Sequence, residues 1–281
     1  MKIIRLITTA LALLALPAMS RAQYVVTDTI LPQRIVVKSS QIGVTLLNNL
    51  DTYLSNYNHK GFGLNYSHEA FRDARTGNCR WKYQRLFNAT VGYATRGSSL
   101  QYTALVSHSW GGYHSFKVAK GLTLLAGAQI QLEGGALYNP AGGNSPVAAK
   151  LRTALAASGM AIYHFPVRRS EWIARYQLDI PLMGAMFAPE FGQSYYEIFG
   201  LRHARNVVAF THPGNNPSWR HMLSLDVPIK ATTLRISYIA DLYQSRINDI
   251  NCHIYRNTFS IGFTRTIFKV KNNKLSDYSP Y

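Results

Sequence analysis

The chain has 281 residues and is strongly basic, with 30 lysine and arginine residues, 13 acidic residues and a formal net charge of +17. Charged residues make up only 15% of the sequence, whereas about 25% is typical of globular proteins. Aromatic residues reach 12%, and 18 of them are tyrosines. A soluble β protein needs charge on its outer face, so this composition argues against a soluble domain and favours a sheet that faces lipid. The chain carries no nucleic-acid recognition motif, so we exclude nucleic acid as a partner.

The first 22 residues have the features of a secretory signal. Lys2 and Arg5 form a basic start, residues 6–16 are apolar but too few to span a bilayer, and Ser20 and Ala22 are small residues at the cleavage positions. We expect cleavage near Ala22 and export to the cell outer membrane, with no lipid anchor because no cysteine follows the apolar stretch. The expected divisions are a signal peptide, a periplasmic extension, a barrel and a periplasmic tail at residues 1–22, 23–35, 36–268 and 269–281.

Residues 81–95 show the clearest strand pattern, because apolar and polar side chains alternate along them. Side chains of a strand point to opposite faces in turn, so one face is aromatic and apolar and the other is small and polar. In an outer-membrane barrel the apolar face contacts lipid and the polar face lines the interior. The apolar set is Trp81, Tyr83, Phe87, Ala89, Val91 and Tyr93, and the polar set is Lys82, Gln84, Asn88, Thr90 and Gly92.

Similar alternation between turn signals predicts about twelve strands in a single antiparallel transmembrane β-barrel, with ten or fourteen as alternatives. The predicted strands are residues 36–47, 61–69, 81–95, 100–110, 122–133, 151–165, 171–180, 193–201, 205–212, 218–229, 232–243 and 253–268. Both ends of a bacterial barrel lie in the periplasm, so the strand number must be even, and it is even when residues 193–201 are taken as a strand. The alanine-rich residues 147–156 leave a short helix open as an alternative. Four residues at predicted strand ends form the expected aromatic girdle: Trp81, Trp110, Trp172 and Trp219.

Alternation places eight charged residues on the interior face, namely Glu69, Lys82, Glu133, Arg175, Asp179, Arg235, Asp241 and Arg256. An isolated charge in a confined interior is costly, so these groups must pair. One interpretation is an interior closed by salt bridges, and the other is a net-basic pore or pocket that favours anions. A second candidate ligand-binding set lies beside a predicted outer loop and consists of Glu190, Gln193, Tyr195 and Glu197. The alternative is that the tyrosines of this segment belong to the aromatic girdle.

Basic residues gather on the predicted periplasmic side, where they would contact lipid phosphates or an acidic periplasmic partner, or simply be solvated turns. They are Arg72, Arg75, Arg80, Lys117, Lys120, Arg168, Arg169, Arg202, Arg205, Lys230, Lys269, Lys271 and Lys274. The expected partners are outer-membrane lipids and a small anionic solute or a periplasmic partner, and we expect a monomer.

The two cysteines, Cys79 and Cys252, are predicted to be unpaired. Cys79 falls at a predicted periplasmic turn and Cys252 at the outer end of the last strand, whereas a disulfide needs Cα atoms within about 7 Å. Two cysteines without paired Cys-x-x-Cys spacing also argue against structural zinc, and we expect no cofactor or metal.

An enzymatic role finds little support, and we assign no catalytic residue. Neither His-Glu-x-x-His nor Gly-x-Ser-x-Gly occurs in the sequence. Outer-membrane phospholipases and lipid A deacylases place serine and histidine on the lipid-facing surface, and His68, His108 and His253 are predicted to face outward. Ser67 and Ser109 point inward by the same alternation and cannot join these histidines on the outer face. A lipid-modifying enzyme is therefore kept only as the alternative function. The second alternative is a secreted soluble β-sandwich.

The run Gly-Gln-Ser-Tyr-Tyr-Glu-Ile-Phe at residues 192–199, together with the signal and the alternating strands, resembles an uncharacterised family of Bacteroidetes-type outer-membrane β-barrel proteins. That family has no assigned activity, so the resemblance implies a fold and a location and transfers no catalytic residue. The sequence therefore predicts a non-enzymatic outer-membrane barrel that acts as a narrow channel or as a binding or structural element.

Overall fold

A computed structural model describes residues 34–74, 80–143, 145–167, 170–229 and 232–269 as a β structure of eleven strands. The strands are β1 Arg34–Asp51, β2 Ser55–Asp73, β3 Trp81–Arg96, β4 Ser99–Ala119, β5 Leu122–Tyr138, β6 Val147–Val167, β7 Ser170–Phe187, β8 Val208–Thr211, β9 Trp219–Ile229, β10 Thr232–Ile247 and β11 Ile250–Lys269. One π-helical turn, Tyr196–Gly200, lies between β7 and β8. Within the described ranges, no helix is long and apolar enough to cross a membrane. The predicted signal peptide and most of both predicted extensions lie outside these ranges.

Ten of the strands close into a barrel. β1 to β7 pair in chain order, β7 continues to β9, β10 and β11, and β11 pairs with β1 to complete the ring. Every pairing is antiparallel, and the closing pair runs in register from Ile35 opposite Phe268 to Asp51 opposite Cys252. The prediction of a single antiparallel barrel is confirmed, and the alternative of two packed sheets is wrong.

The predicted number of about twelve strands is too high. Residues 193–201 form a loop with a helical turn, because Ser194 and Glu197 hydrogen-bond each other in a capping box. The strand predicted at 205–212 shortens to β8, which pairs only with β7, from Val208 opposite Phe187 to Thr211 opposite Gly184. β8 and β9 pair antiparallel with different parts of the same edge of β7, so together they take the place of one strand in the wall. The barrel therefore keeps an even strand number of ten, and the helix alternative at 147–156 is replaced by β6.

The two ends of the barrel differ in their connections. We call the end where β1 begins and β11 ends the terminal end, and the opposite end the loop end. The loop end carries the longest described connection, residues 188–207, which includes Arg202 and Arg205. The prediction that these two arginines lie on the same rim as Arg72, Arg80 and Lys117 is therefore wrong. It also carries the two-residue turn of Asn248 and Asp249, whose φ angles of 52° and 60° suit a tight hairpin.

The wall is apolar outside and polar inside. On β3, Trp81, Tyr83, Val91 and Tyr93 are exposed on the outer face, whereas Gln84 and Thr90 are buried in the interior.

The predicted aromatic girdle is only partly formed. Trp81 begins β3 and Trp172 lies near the start of β7, both at the terminal end. Trp110 lies within β4, and Trp219 begins a strand that starts part-way up the wall.

Candidate binding site in the barrel interior

The interior nearest the terminal end is crossed by a buried ionic cluster. Glu69 of β2 accepts hydrogen bonds from both terminal nitrogens of Arg175 on β7, at 2.7 and 2.6 Å. Arg235 of β10 also donates to Glu69, at 2.6 Å, and makes a bidentate pair with Asp226 of β9 at 2.5 and 2.6 Å. These bonds join opposite walls of the barrel, so the cluster fills its cross-section.

Next to this cluster lies a layer of amide and hydroxyl side chains. The Gln84 amide donates to Glu69 at 2.6 Å and exchanges hydrogen bonds with the amide of Gln177. The Tyr113 hydroxyl donates to the side-chain amide oxygen of Gln84 at 2.9 Å. Asp179 accepts hydrogen bonds from Gln177 and from Arg220, so the layer is tied to a further charge pair.

A second ionic cluster lies towards the loop end. Arg256 donates to Glu133 at 2.7 Å and to Asp241 at 2.6 Å, and Arg152 lies 3.8 Å from the same Glu133 carboxylate. Above it, Lys150 pairs with Asp51 at 2.7 Å beside a cluster of buried apolar side chains. The interior is thus packed with paired polar groups over most of its length.

The predicted interior charges all face the lumen, but they leave little space between them. The cavity bordered by Glu133, Asp179 and Asp241 has a volume of about 20 Å³, which is room for one water molecule. A cavity of the same size lies beside Lys150 at the loop end. Each of these carboxylates is engaged by an arginine or lysine, so this part of the predicted set forms a closed polar core.

A large cavity does exist, at the terminal end of the barrel. This vestibule has a volume of about 790 Å³ and is closed on its inner side by Arg175, Arg235 and Asp226. Arg80, Lys82 and Lys117 also line it, so among the described residues that line the vestibule five cations face two carboxylates, those of Asp226 and Asp73. Lys82 pairs with Asp73.

The two remaining cations give the vestibule its excess positive charge. Arg80 and Lys117 are exposed and make no ion pair with any residue that the structure describes. Lys82, Arg175 and Arg235 are therefore the members of the predicted interior set that reach a cavity of ligand size.

The predicted loop set lies at the loop end and is held by local bonds. The Gln193 amide donates to the His203 carbonyl oxygen at 2.8 Å, and its own amide oxygen accepts from the Glu190 backbone at 3.1 Å. The Tyr195 hydroxyl accepts from the Ala149 backbone at 2.7 Å. Among the described residues, no hydrogen bond joins this set to the ionic clusters of the interior.

Two groups in this loop have shifted pKa values. Burial raises the pKa of Tyr195, which keeps its hydroxyl neutral. Hydrogen bonds from the Ser194 backbone and hydroxyl lower the pKa of Glu197, so the carboxylate is favoured. Tyr195 and Glu197 therefore hold the loop conformation in this structure.

Cys252 is buried on β11 as a free thiol near Lys150, and Cys79 lies outside the described residues. The prediction that the two cysteines are unpaired therefore stays a prediction.

One lipid-facing polar pair escaped the sequence analysis. Ser40 of β1 and His68 of β2 lie opposite each other on the outer wall, with 2.9 Å between the serine Oγ and the histidine Nδ1. The sequence signal was available, because Ser40 lies on the outward parity of β1. Ser40 is far from His68 in the sequence, and the pairing of β1 with β2 brings the two side chains together.

The partners of the predicted interior charges were also missed. Arg152, Arg220 and Asp226 share the inward parity of their strands, and this parity could have identified them.

The fold and its two faces define a β-barrel whose outside suits lipid and whose inside is a closed polar core with one basic vestibule. Residues 7–274 match the family described as "Protein of unknown function (DUF3316)", and the chain belongs to that family. The resemblance to a family without an assigned activity is thereby confirmed. No curated protein matches the sequence.

Several solved outer-membrane structures are similar to this chain at low identity. The outer membrane protease OmpT from Escherichia coli is 7% identical, with 86% of this chain and 99% of that chain covered and a TM-score of 0.45. The β domain of the Bordetella autotransporter BrkA is 12% identical, with 81% and 98% covered and a TM-score of 0.40. The translocator domain of NalP from Neisseria meningitidis is 11% identical, with 83% and 88% covered and a TM-score of 0.38.

Proposed function

We propose that this protein is a monomeric, non-enzymatic binding protein of the bacterial outer membrane, whose basic vestibule opens to the periplasm and takes a small anionic ligand. The ten strands that close the ring each pair with two neighbours, so the ring itself presents no sheet edge to lipid. Bacterial barrels place both termini and the short turns in the periplasm, so the terminal end faces that compartment.

The closed interior favours a binding role over a channel. Glu69, Arg175 and Arg235 bridge the lumen in one cluster, and Glu133 and Arg256 do so in another. A buried pair resists separation, because removing either partner leaves an uncompensated charge. Ions would have to displace both clusters in order to cross the barrel.

The single observation that carries the proposal is the charge of the vestibule. Its volume of about 790 Å³ lies within the range of small-molecule sites, which is about 300–1,000 Å³. Arg80 and Lys117 have no carboxylate partner among the described residues, and they flank an opening lined by three further cations. Guanidinium and ammonium groups arranged around a pocket favour phosphate, sulfate or carboxylate groups.

The test uses the trisulfonated dye pyranine as an anionic probe, added to the detergent-solubilised full-length protein. We expect an increase in fluorescence anisotropy on binding, with a Kd that weakens as salt is added because exposed charges are screened. The double variant Arg80→Gln/Lys117→Gln should weaken binding, and the matched variant Lys60→Gln/Arg96→Gln, at the loop end, should not. Equal Kd values for the two variants would contradict the vestibule as the site.

A second candidate function, modification of membrane lipids, is favoured by the pair of Ser40 and His68. The serine lies within hydrogen-bond distance of a histidine and faces lipid, which is the geometry that a nucleophile and its base require. No carboxylate hydrogen-bonds His68 in the described part of the chain, so the third member of a triad is missing, and this candidate ranks second.

Lipid mass spectrometry on cells with and without the protein tests the second candidate. A changed acyl pattern that is lost in Ser40→Ala and retained in His253→Ala would place this candidate first. An acyl pattern that does not depend on the protein would exclude it.

A further inference from the structure

The described part of the outer wall carries a cluster of cations on one side. Lys38 of β1, Arg72 of β2, Arg85 of β3 and Arg265 of β11 occupy outward positions near the terminal end of four adjacent strands. Between residues 35 and 267 of the described wall, the remaining outward charges are Lys60 and Arg246 at the loop end, and no outward position of a strand carries a carboxylate. We call Lys38, Arg72, Arg85 and Arg265 the outer basic cluster.

The strand register brings three of these cations into one row. Lys38 lies directly opposite Arg265 on one side and opposite Ala70 on the other, and Ala70 lies opposite Arg85. Directly opposite side chains on neighbouring strands have Cβ atoms about 5 Å apart. Lys38 is therefore flanked by a like charge on β11, and a second one lies just beyond the small Ala70.

The row forms a groove rather than a flat surface. A cavity of about 310 Å³ on this face is lined by Lys38, Arg72 and Arg85 together with Tyr83 and Trp110. Arg72 lies over the Tyr83 ring, with its guanidinium carbon 5.6 Å from the ring centre. Small Ala70 forms the floor between the cationic side chains, so the groove can admit a group that is larger than an ion.

The position of the cluster identifies the environment of the groove. On β1, the outward residues beyond Lys38 towards the loop end include the exposed Ile42, Val44 and Leu46, and on β11 those beyond Arg265 include the exposed Phe263 and Ile261. The cations thus lie at the edge of the apolar band, where headgroups meet hydrocarbon. A charge that faces lipid is costly at the bilayer midplane and costs close to nothing at the interface.

The cations have no protein partner to neutralise them. None of the four makes an ion pair with a described residue, and like charges placed directly opposite each other destabilise a sheet. An anion at the membrane interface would remove that repulsion. Lipid phosphates are the anions found at this depth, and tyrosine and tryptophan favour the same region.

We propose that the outer basic cluster is a binding site for the headgroup of an anionic phospholipid in the leaflet next to the terminal end. The phosphate lies between Lys38 and Arg85, Arg265 and Arg72 extend the positive field, and the acyl chains run along the apolar band above Ala70. This site is on the lipid side of the wall, so it is independent of the vestibule.

The experiment measures which lipids stay bound to the full-length protein. The protein is reconstituted in nanodiscs of equal parts phosphatidylglycerol and phosphatidylcholine and then examined by native mass spectrometry. We expect retained phosphatidylglycerol in excess over phosphatidylcholine. The double variant Lys38→Gln/Arg85→Gln should reduce that preference about twenty-five-fold, since each cation near an anionic lipid surface contributes about fivefold.

Two further variants separate the site from folding and from general charge. Lys60→Gln/Arg246→Gln removes the same amount of outward charge at the loop end and should keep the preference. Lys38→Arg/Arg85→Lys conserves the charge and should also keep it. Heat-modifiable gel migration shows that each variant is folded. Equal retention of both lipids by the wild type, or an unchanged preference in a folded Lys38→Gln/Arg85→Gln variant, would overturn the proposal.

Discussion

Glu69 is the residue whose change tests the closed interior most sharply. Its carboxylate accepts four hydrogen bonds, two from Arg175, one from Arg235 and one from Gln84, at distances of 2.6 to 2.7 Å. Its side chain is 3% exposed. The variant Glu69→Gln keeps the shape of the side chain but removes its charge.

The structure shows which arginine is left without a carboxylate partner when Glu69 loses its charge. Arg235 keeps its bidentate contact with Asp226, whereas Glu69 is the one carboxylate that pairs with Arg175 in the described chain. The variant thus leaves one buried arginine uncompensated. Breaking a buried pair in this way costs about 3–5 kcal/mol. We therefore expect the free energy of unfolding to fall by about 3–5 kcal/mol in Glu69→Gln.

The assay is urea unfolding of the protein folded into lipid vesicles, followed by tryptophan fluorescence. Asp73→Asn is the matched control, because Asp73 also pairs with a cation but is about one-fifth exposed at the vestibule. Pairs that water reaches contribute about 0–1 kcal/mol, so the control should fall by no more than that. A loss in Glu69→Gln as small as that in Asp73→Asn would refute the view that a desolvated ionic cluster closes the barrel.

Three further outcomes are expected from the same geometry. Tyr113→Phe should lower the free energy of unfolding by about 1–3 kcal/mol in the same urea assay, because it leaves buried hydrogen-bond partners of the hydroxyl unsatisfied. An unchanged urea midpoint of unfolding would argue against the polar layer. Because the pKa of Glu197 is lowered in the folded loop, its contacts with Ser194 stabilise the loop above the ordinary glutamate pKa, and this stabilisation is lost as the pH falls through the lower folded pKa. Pepsin cleavage of residues 188–207 in the wild type should therefore increase in acid relative to cleavage of the Glu197→Gln variant. Parallel pH profiles for the two proteins would contradict this. Thiol titration of the denatured, unreduced protein should detect two thiols, those of Cys79 and Cys252, and detection of none would show a disulfide. A Cys79→Ser variant should react with maleimide only after denaturation, because Cys252 is buried.

The sequence predicted the faces of the barrel well, because strand alternation is a local property. The inward positions of Glu69, Arg175 and Arg235 follow from period-two parity alone. Which of them pair could not be predicted in the same way. Glu69 and Arg175 are 106 residues apart in the chain and on non-adjacent strands, so their contact depends on the register and closure of the whole barrel.

The errors fall where local signals compete. Residues 193–201 alternate like a strand, but the Ser194 and Glu197 capping box begins a helical turn there. Ser40 was overlooked because its partner His68 comes from the neighbouring strand, and only the register of β1 and β2 brings them together. The vestibule could not be predicted either, since its shape depends on the side chains that close its inner end.

Single-channel recording in planar bilayers tests the central claim most directly. The paired clusters around Glu69 and Glu133 bridge the lumen, and the cavities beside Glu133 and beside Lys150 are about 20 Å³ each. We predict that the purified wild-type protein, inserted and folded, produces no stepwise conductance in either salt or anion gradients. Long-lived, reproducible open steps from the folded wild-type barrel would contradict a closed interior and would restore the narrow channel as its function.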